Sequence, residues 1–395
     1  MKRPLFAAIT GIGLVSLLLT IVVSFMFLNH STTHAGGIGD SGAPGHQNPM
    51  NKVATTINAL THIETVGSTA FIVDGQGHTI SVDPNPYGVA IAPPSTPRSN
   101  VPGTLQAGDI VVTNFGGNNT GKTLVRFPAK KGPGHLFNTM ANPGTNGPSD
   151  EAFNTMIGTD WVANISGNNI QVFQPNGSVL TTLTNPLFHK PWGQAFNQGK
   201  RNPQDGAVAA FFSSNDADAT IDRIDVIPTK NGTSFRVTQI GQLTMMGNDT
   251  KIALTWLSSL QLKGQKLSDV LLAIDPAKNR IAAYPNSSVG NINMKSTNKG
   301  ITVFQGAPLA MPGGFTLNPL NGDLLVANGQ RNDLVELNIS QGKVIADRVI
   351  DNVPVDPKTN NGSALFGVVA TTDAKNNLEV FFTDDNTNTL NVLTV

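Results

Sequence analysis

The chain has 395 residues, with 26 Lys and Arg against 26 Asp and Glu, 13% charged residues, 40 Gly, 25 Pro and no Cys. Balanced charge excludes a sequence-independent nucleic-acid binder, which needs an excess of Lys and Arg, and the missing cysteines exclude disulfides, thiolate metal sites and cysteine nucleophiles. Low charge with abundant Asn and Thr fits an extracellular surface, including one exposed to low pH.

The first predicted element is apolar. Lys2 and Arg3 precede an uncharged stretch over residues 5–28. As a helix, at about 1.5 Å per residue, it would be roughly 36 Å long, enough to cross a hydrocarbon core of about 30 Å. The basic start places the rest of the chain outside the cytoplasm. Residues 1–28 therefore read as a signal anchor. A cleaved signal peptide, with Thr33-His-Ala35 as its cleavage site, is the alternative. Residues 29–59 are rich in Gly, Ser, Thr, His and Pro and read as a flexible linker and lead-in. His30, His34 and His46 lie there without regular spacing, as expected of a solvated linker.

Residues 60–395 read as one domain, and between Gly108 and Val395 one phrase recurs six times: a short apolar run, then Asn, Asp or Ser, then a polar turn, then a second apolar run. The clearest copy runs from Asp269 through Asp275 and Asn279 to Tyr284. Anchored on the residue that ends the first run, the copies fall at Asn114, Asn164, Ser214, Asp275, Asn328 and Asp384, between 50 and 61 residues apart. That period suits a four-stranded blade with loops of variable length. Gly, Asn, Asp or Pro within three residues after each anchor suits a turn, and alternation in the second run suits half-buried antiparallel strand.

A second phrase precedes several copies: Pro86-Tyr-Gly, Lys190-Pro-Trp-Gly, Pro312-Gly-Gly-Phe and Leu365-Phe-Gly. Small residues there suit the innermost strand, where backbones converge on an axis. The equivalents near Ala152-Phe153 and Ile252–Trp256 are degraded. The last copy ends with the chain, one strand short. The runs 69–73 or 78–82 are expected to supply that strand and close the ring.

Pro-x-Gly-x-Ala before a strand, followed by Asp-x-x-x-Asn-Arg-Ile as in Asp275–Ile281, resembles the NHL-repeat β-propeller family. The resemblance covers residues 60–395 and implies an all-β, six-bladed propeller of four-stranded antiparallel blades, preceded by one N-terminal transmembrane or signal helix. The copies depart from the pattern, with Asn or Ser replacing Asp at four anchors and Arg after the turn only at Arg280.

Candidate chemistry is sparse. The anchors fit Asx turns that bond their own backbone better than a ring of cation ligands. Asp216-Ala-Asp218-Ala-Thr-Ile-Asp222 looks like a calcium loop, but lacks its central Gly and terminal Glu, and reads as a hairpin. His189-Lys-Pro-Trp192 is the most suggestive local site: His189 as a base or ligand-binding group, Trp192 as a stacking surface, with Tyr87 in the equivalent phrase of the first copy. His62, His78 or His135 could complete it. The Gly/Pro-rich stretch 128–148 reads as a long loop over one mouth. No nucleophile-elbow, Walker or dinucleotide phrase occurs in context.

The expected function is therefore an extracytoplasmic, membrane-anchored binding or scaffold module for a protein, peptide or glycan, with no cofactor, no metal site and no nucleic acid. The alternative is a propeller hydrolase or lyase of the lactonase or virginiamycin-lyase kind, holding a divalent cation such as calcium at the channel mouth.

Overall fold

The computed structural model describes residues 54–395 apart from 102, 130–131, 139–141, 143, 248–249, 290–297 and 357. The predicted N-terminal helix and most of the linker, including His30, His34 and His46, lie outside the described residues.

Six four-stranded antiparallel sheets form the blades. Blade 1 runs outward from Pro86–Ile91 through Ile110–Asn114 and Thr123–Phe127 to His135–Leu136. Blade 2 comprises Pro148–Phe153, Asp160–Asn164, Asn169–Phe173 and Val179–Leu183. Blade 3 comprises Pro191–Phe196, Ala209–Asn215, Thr220–Thr229 and Gly232–Gln242. Blade 4 comprises Leu254–Leu262, Gln265–Asp275, Arg280–Tyr284 and Ile301–Gln305, and blade 5 Pro312–Leu317, Leu324–Asn328, Asp333–Asn338 and Lys343–Val349. Blade 6 has Leu365–Thr372, Leu378–Asp384 and Thr389–Thr394 from the C-terminus, and its outermost strand is His62–Ser68 from the N-terminal side. Each inner strand packs on the next, and blade 6 returns to blade 1.

The ring thus closes with a strand from the N-terminal side, but not with 69–73 or 78–82. His62 pairs with Thr394 and Ser68 with Thr389. Phe71–Val73 and Thr79–Ser81 pair only with each other, in a separate hairpin. Ahead of the closing strand, Ile57 and Leu60 are fully buried, Ile57 N donates to Glu336 Oε2 at 2.9 Å, and Arg348 bonds the Leu60 carbonyl.

The second strands explain the apolar runs of the repeat. Ile110–Asn114, Asp160–Asn164 and Leu324–Asn328 are buried at every position, because each blade is covered by a neighbour on both faces. A strand covered on both faces reads as a continuous apolar run rather than an alternating one. Between each pair of neighbouring blades lies one apolar core; that between blades 2 and 3 contains Trp161 stacked on Phe211, with centroids 3.6 Å apart.

The anchors are joints. Asn114 Nδ2 donates to the Thr69 carbonyl in the incoming loop (2.8 Å) and to Thr123 Oγ1 at the start of the third strand (3.2 Å). Asn328 Nδ2 does the same with the Pro308 carbonyl (3.0 Å) and Asp333 Oδ1 (2.8 Å). In blade 3 the residue in this register is Asn215, not Ser214: its amide donates to the Leu187 carbonyl (3.1 Å) and Thr220 Oγ1 (2.8 Å). Ser214 matches Thr113 and Thr383 instead; these three hydroxyls accept from the amides of Gly193, Gly88 and Gly367.

Those glycines let neighbouring inner strands touch. A Cβ on Gly314 would collide with the Phe366 carbonyl, and one on Gly367 with the Tyr87 carbonyl. In blade 2 the same register is held by Asp150.

Candidate functional site

The inner strands of all six blades enclose an axial channel of about 520 Å³. Its two ends differ in chemistry.

Where the inner strands begin, the channel is filled. In three blades the residue before the close-contact glycine is aromatic and joins a cluster there: Tyr87 in blade 1, Trp192 in blade 3 and Phe366 in blade 6. Phe115 and Ile165, each following an anchor, join them in one buried cluster. Tyr87 stacks on Phe366 with centroids 4.1 Å apart, and meets Trp192 edge-on at 5.3 Å. Phe115 packs on Tyr87 at 4.7 Å and on Trp192 at 5.3 Å. Lys251 crosses this cluster. Its Nζ lies 5.0 Å from the ring centroids of Tyr87 and Phe366 and 5.4 Å from that of Trp192, and donates to Tyr87 Oη at 3.1 Å. An ammonium within about 6 Å of a ring centroid is attracted by the ring quadrupole. Asp385 lies close enough to feel this charge: burial raises its carboxyl to about 6, against the pull of Lys251.

Lys251 owes its place to a gap in the repeat. Opposite the anchors of blades 1, 2, 3 and 5 sit Pro86, Pro148, Pro191 and Pro312. The ladder of blade 4 begins only at Leu254, paired with Ala273, and Lys251 precedes it.

Where the inner strands end, polar as well as apolar side chains line the channel. Gln194, Gln198, Thr155, Thr255, Thr316 and Thr371 line it beside Phe153 and Trp256. Trp256 is held by its Nε1, which donates to Asp269 Oδ1 at 2.8 Å.

Three carboxyls gather beside the channel in blade 2. Asp150 lines it, half-buried, and its Oδ2 accepts from the Gln194 amide at 2.9 Å. Burial pushes its carboxyl up to about 7. Glu151, on the other face of the strand, is buried beside Asp160. Burial, then the charges of Asp160 and Asp150, raise Glu151 well above the ordinary range, while burial puts Asp160 at about 7.

Of the residues singled out from sequence, Tyr87 and Trp192 meet in the aromatic cluster. His189 does not join them. It is exposed, ahead of the inner strand of blade 3, with Nδ1 2.6 Å from Asp218 Oδ2, a hydrogen bond that raises its pKa. The other histidines are engaged elsewhere: His62 in the closing strand, His78 with Asp74 at 3.3 Å, and His135 with the Val73 carbonyl at 3.0 Å. Asp216–Asp222 spans the turn between the second and third strands of blade 3; Asp218 serves His189, and Asp222 accepts from Asn215 at 2.8 Å. No group of three or more His, Asp or Glu placed to hold a metal occurs among the described residues. Within the stretch 128–148, His135–Leu136 form the outer strand of blade 1.

Phe366 was legible as the third copy of the residue before the glycine. Lys251 and the carboxyl group of three were not, since they occupy the two blades whose phrases are degraded.

Neither a protein-family model nor any curated protein matches this chain. Solved structures share its architecture. An auxiliary nutrient binding protein from Bacteroides thetaiotaomicron matches at 10% identity over 84% of this chain and 75% of that one, with a TM-score of 0.52. Its counterpart from Bacteroides ovatus matches at 13% identity over 84% and 76%, with a TM-score of 0.50. Virginiamycin B lyase from Staphylococcus aureus matches at 14% identity over 79% and 95%, with a TM-score of 0.46. At these identities the likeness is one of fold: the chain is an all-β, six-bladed propeller.

Proposed function

We propose that this NHL-like propeller is a binding module that takes a short glycan or peptide segment into the polar end of its axial channel. On this reading it works outside the cytoplasm, held to the membrane by its N-terminal segment. The supporting observation is a channel of about 520 Å³, closed at one end by packed rings and lined at the other by amides, hydroxyls and a fixed indole. A cavity of several hundred cubic ångströms with a few placed polar groups suits a small ligand, and a fixed aromatic face beside hydrogen-bonding side chains suits a sugar ring or a peptide unit.

The test is to probe the full-length protein against arrayed oligosaccharides and short peptides, together with Thr371→Trp, a bulky substitution at a channel-lining position. Retention on a defined subset, lost in the substituted variant with unchanged circular dichroism, is the expected outcome. Equal retention by both proteins, or none by either, would remove the reading.

A second reading rests on Asp150, a channel-lining carboxyl at about 7. A group poised near neutrality is suited to general acid–base work in a hydrolase or lyase, with a divalent cation such as calcium supplied at the mouth. Turnover of a lactone panel that is lost in Asp150→Asn, with a stoichiometric cation found by metal analysis of the purified protein, would favour it over binding.

A further inference from the structure

We infer that the aromatic end of the channel is a receptor for an organic ammonium group, and that Lys251 is its built-in occupant. This site lies at the opposite end from the polar mouth and stands independently of the reading above.

Three observations carry it. First, the rings come from separate blades yet converge on one point: Tyr87, Trp192 and Phe366 each present a centroid 5.0 to 5.4 Å from the same nitrogen. An apolar cluster needs no charge against it, whereas three rings flanking one ammonium attract it through their quadrupoles, as they would an alkylated ammonium ligand. Second, the position is provisioned for a cation. Tyr87 Oη accepts from the ammonium at 3.1 Å, and the Asp385 carboxylate supplies opposite charge. Third, the occupant comes from the one blade whose inner strand lacks a ladder pair opposite its anchor, on a side chain with four rotatable bonds. Lys251 can therefore withdraw without breaking a strand pair of its own. The ligand class that fits is a primary to quaternary ammonium, as on a lysine-bearing peptide or a choline-type headgroup.

Tetramethylammonium chloride is the probe, titrated against sodium chloride at matched ionic strength and followed by tryptophan emission. Full-length Lys251→Ala should bind it about tenfold more tightly than the wild type, the size of one desolvated cation–π contact. Adding Phe366→Leu should remove the gain. Equal response of wild type and Lys251→Ala, with both folded by circular dichroism, would overturn the inference, as would a gain that survives Phe366→Leu.

If Lys251→Ala does not fold, the wild type suffices. After reductive methylation with ¹³C-formaldehyde, the Lys251 methyl signal, assigned by its absence in Lys251→Arg, should be shifted upfield by the rings and return toward the other lysines as tetramethylammonium is added. A Lys251 signal that stays fixed throughout the titration would also overturn the inference.

Discussion

The two ends of the axial channel are made from the same six strands and yet are opposite in character. At the start of the strands, glycine lets the backbones touch and the preceding residue fills the axis with rings. At the far end, threonine and glutamine side chains line the channel instead. The contrast shows that one repeated strand can hold a rigid, apolar plug and a polar opening, provided that tight positions stay at one end. Blade 2 departs from this: Asp150 takes the glycine register, and the pair Glu151–Asp160 lies in the interface beside it.

Removing what both ends depend on should have the largest effect. Deleting residues 54–68 takes away the closing strand and the buried Ile57 and Leu60, and exposes the edge of Thr389–Thr394. The expected product is aggregated or unfolded; an unchanged thermal transition would mean that the ring does not need its closure. Next comes the plug. Phe366→Ala should cost about 3–5 kcal/mol by denaturant unfolding, as large aromatic truncations in cores do. Gly367→Ala should cost about 3 kcal/mol, since its Cβ would meet the Tyr87 carbonyl, which is backbone and cannot swing aside. Little or no loss from either would mean that the starting end is not the rigid one.

The acid-bearing blade should show itself in pH dependence. Burial raises Asp150, Asp160 and Asp222 to about 7 in the folded protein. The folded state therefore keeps protons that the unfolded chain releases near its ordinary carboxylate values of about 4. This contribution is complete below those values and is lost as pH rises through about 7. The melting temperature should be higher at pH 5 than at pH 8, and a transition that rises toward pH 8 would contradict it. The smallest effect is Asp160→Asn, which should flatten this slope by on the order of 1–2 kcal/mol while leaving stability at pH 5 nearly unchanged.

The fold was legible because the repeat is dictated by burial on both faces of the second strand, which writes a continuous apolar run into each blade. The anchors were legible as turn residues, although Asn215 was missed because Ser213, Ser214 and Asn215 are all polar, and only the hydrogen bond to Leu187 distinguishes them. Closure was legible as arithmetic, but not its strand: His62–Ser68 reads as polar because it is an outer edge, largely exposed. The aromatic end was half legible, through Tyr87 and Trp192. His189 drew the eye as a reactive residue next to a tryptophan, but adjacency in a strand start does not mean a shared direction, and its side chain turns outward to Asp218. Lys251 could not be read at all, because reaching three rings from other blades is a property of assembly rather than of local pattern.

The closing strand also orders events at the ribosome. Thr65 bonds Asn391, 326 residues away, so at synthesis rates of about 5–20 residues per second the first strand made waits roughly 16–65 s for its partner. Through that interval five blades can assemble, but the sixth has an open seam. A nascent chain of this design must keep His62–Ser68 unpaired and soluble until Thr389–Thr394 emerges, and the polar, largely exposed character of that strand is suited to the delay.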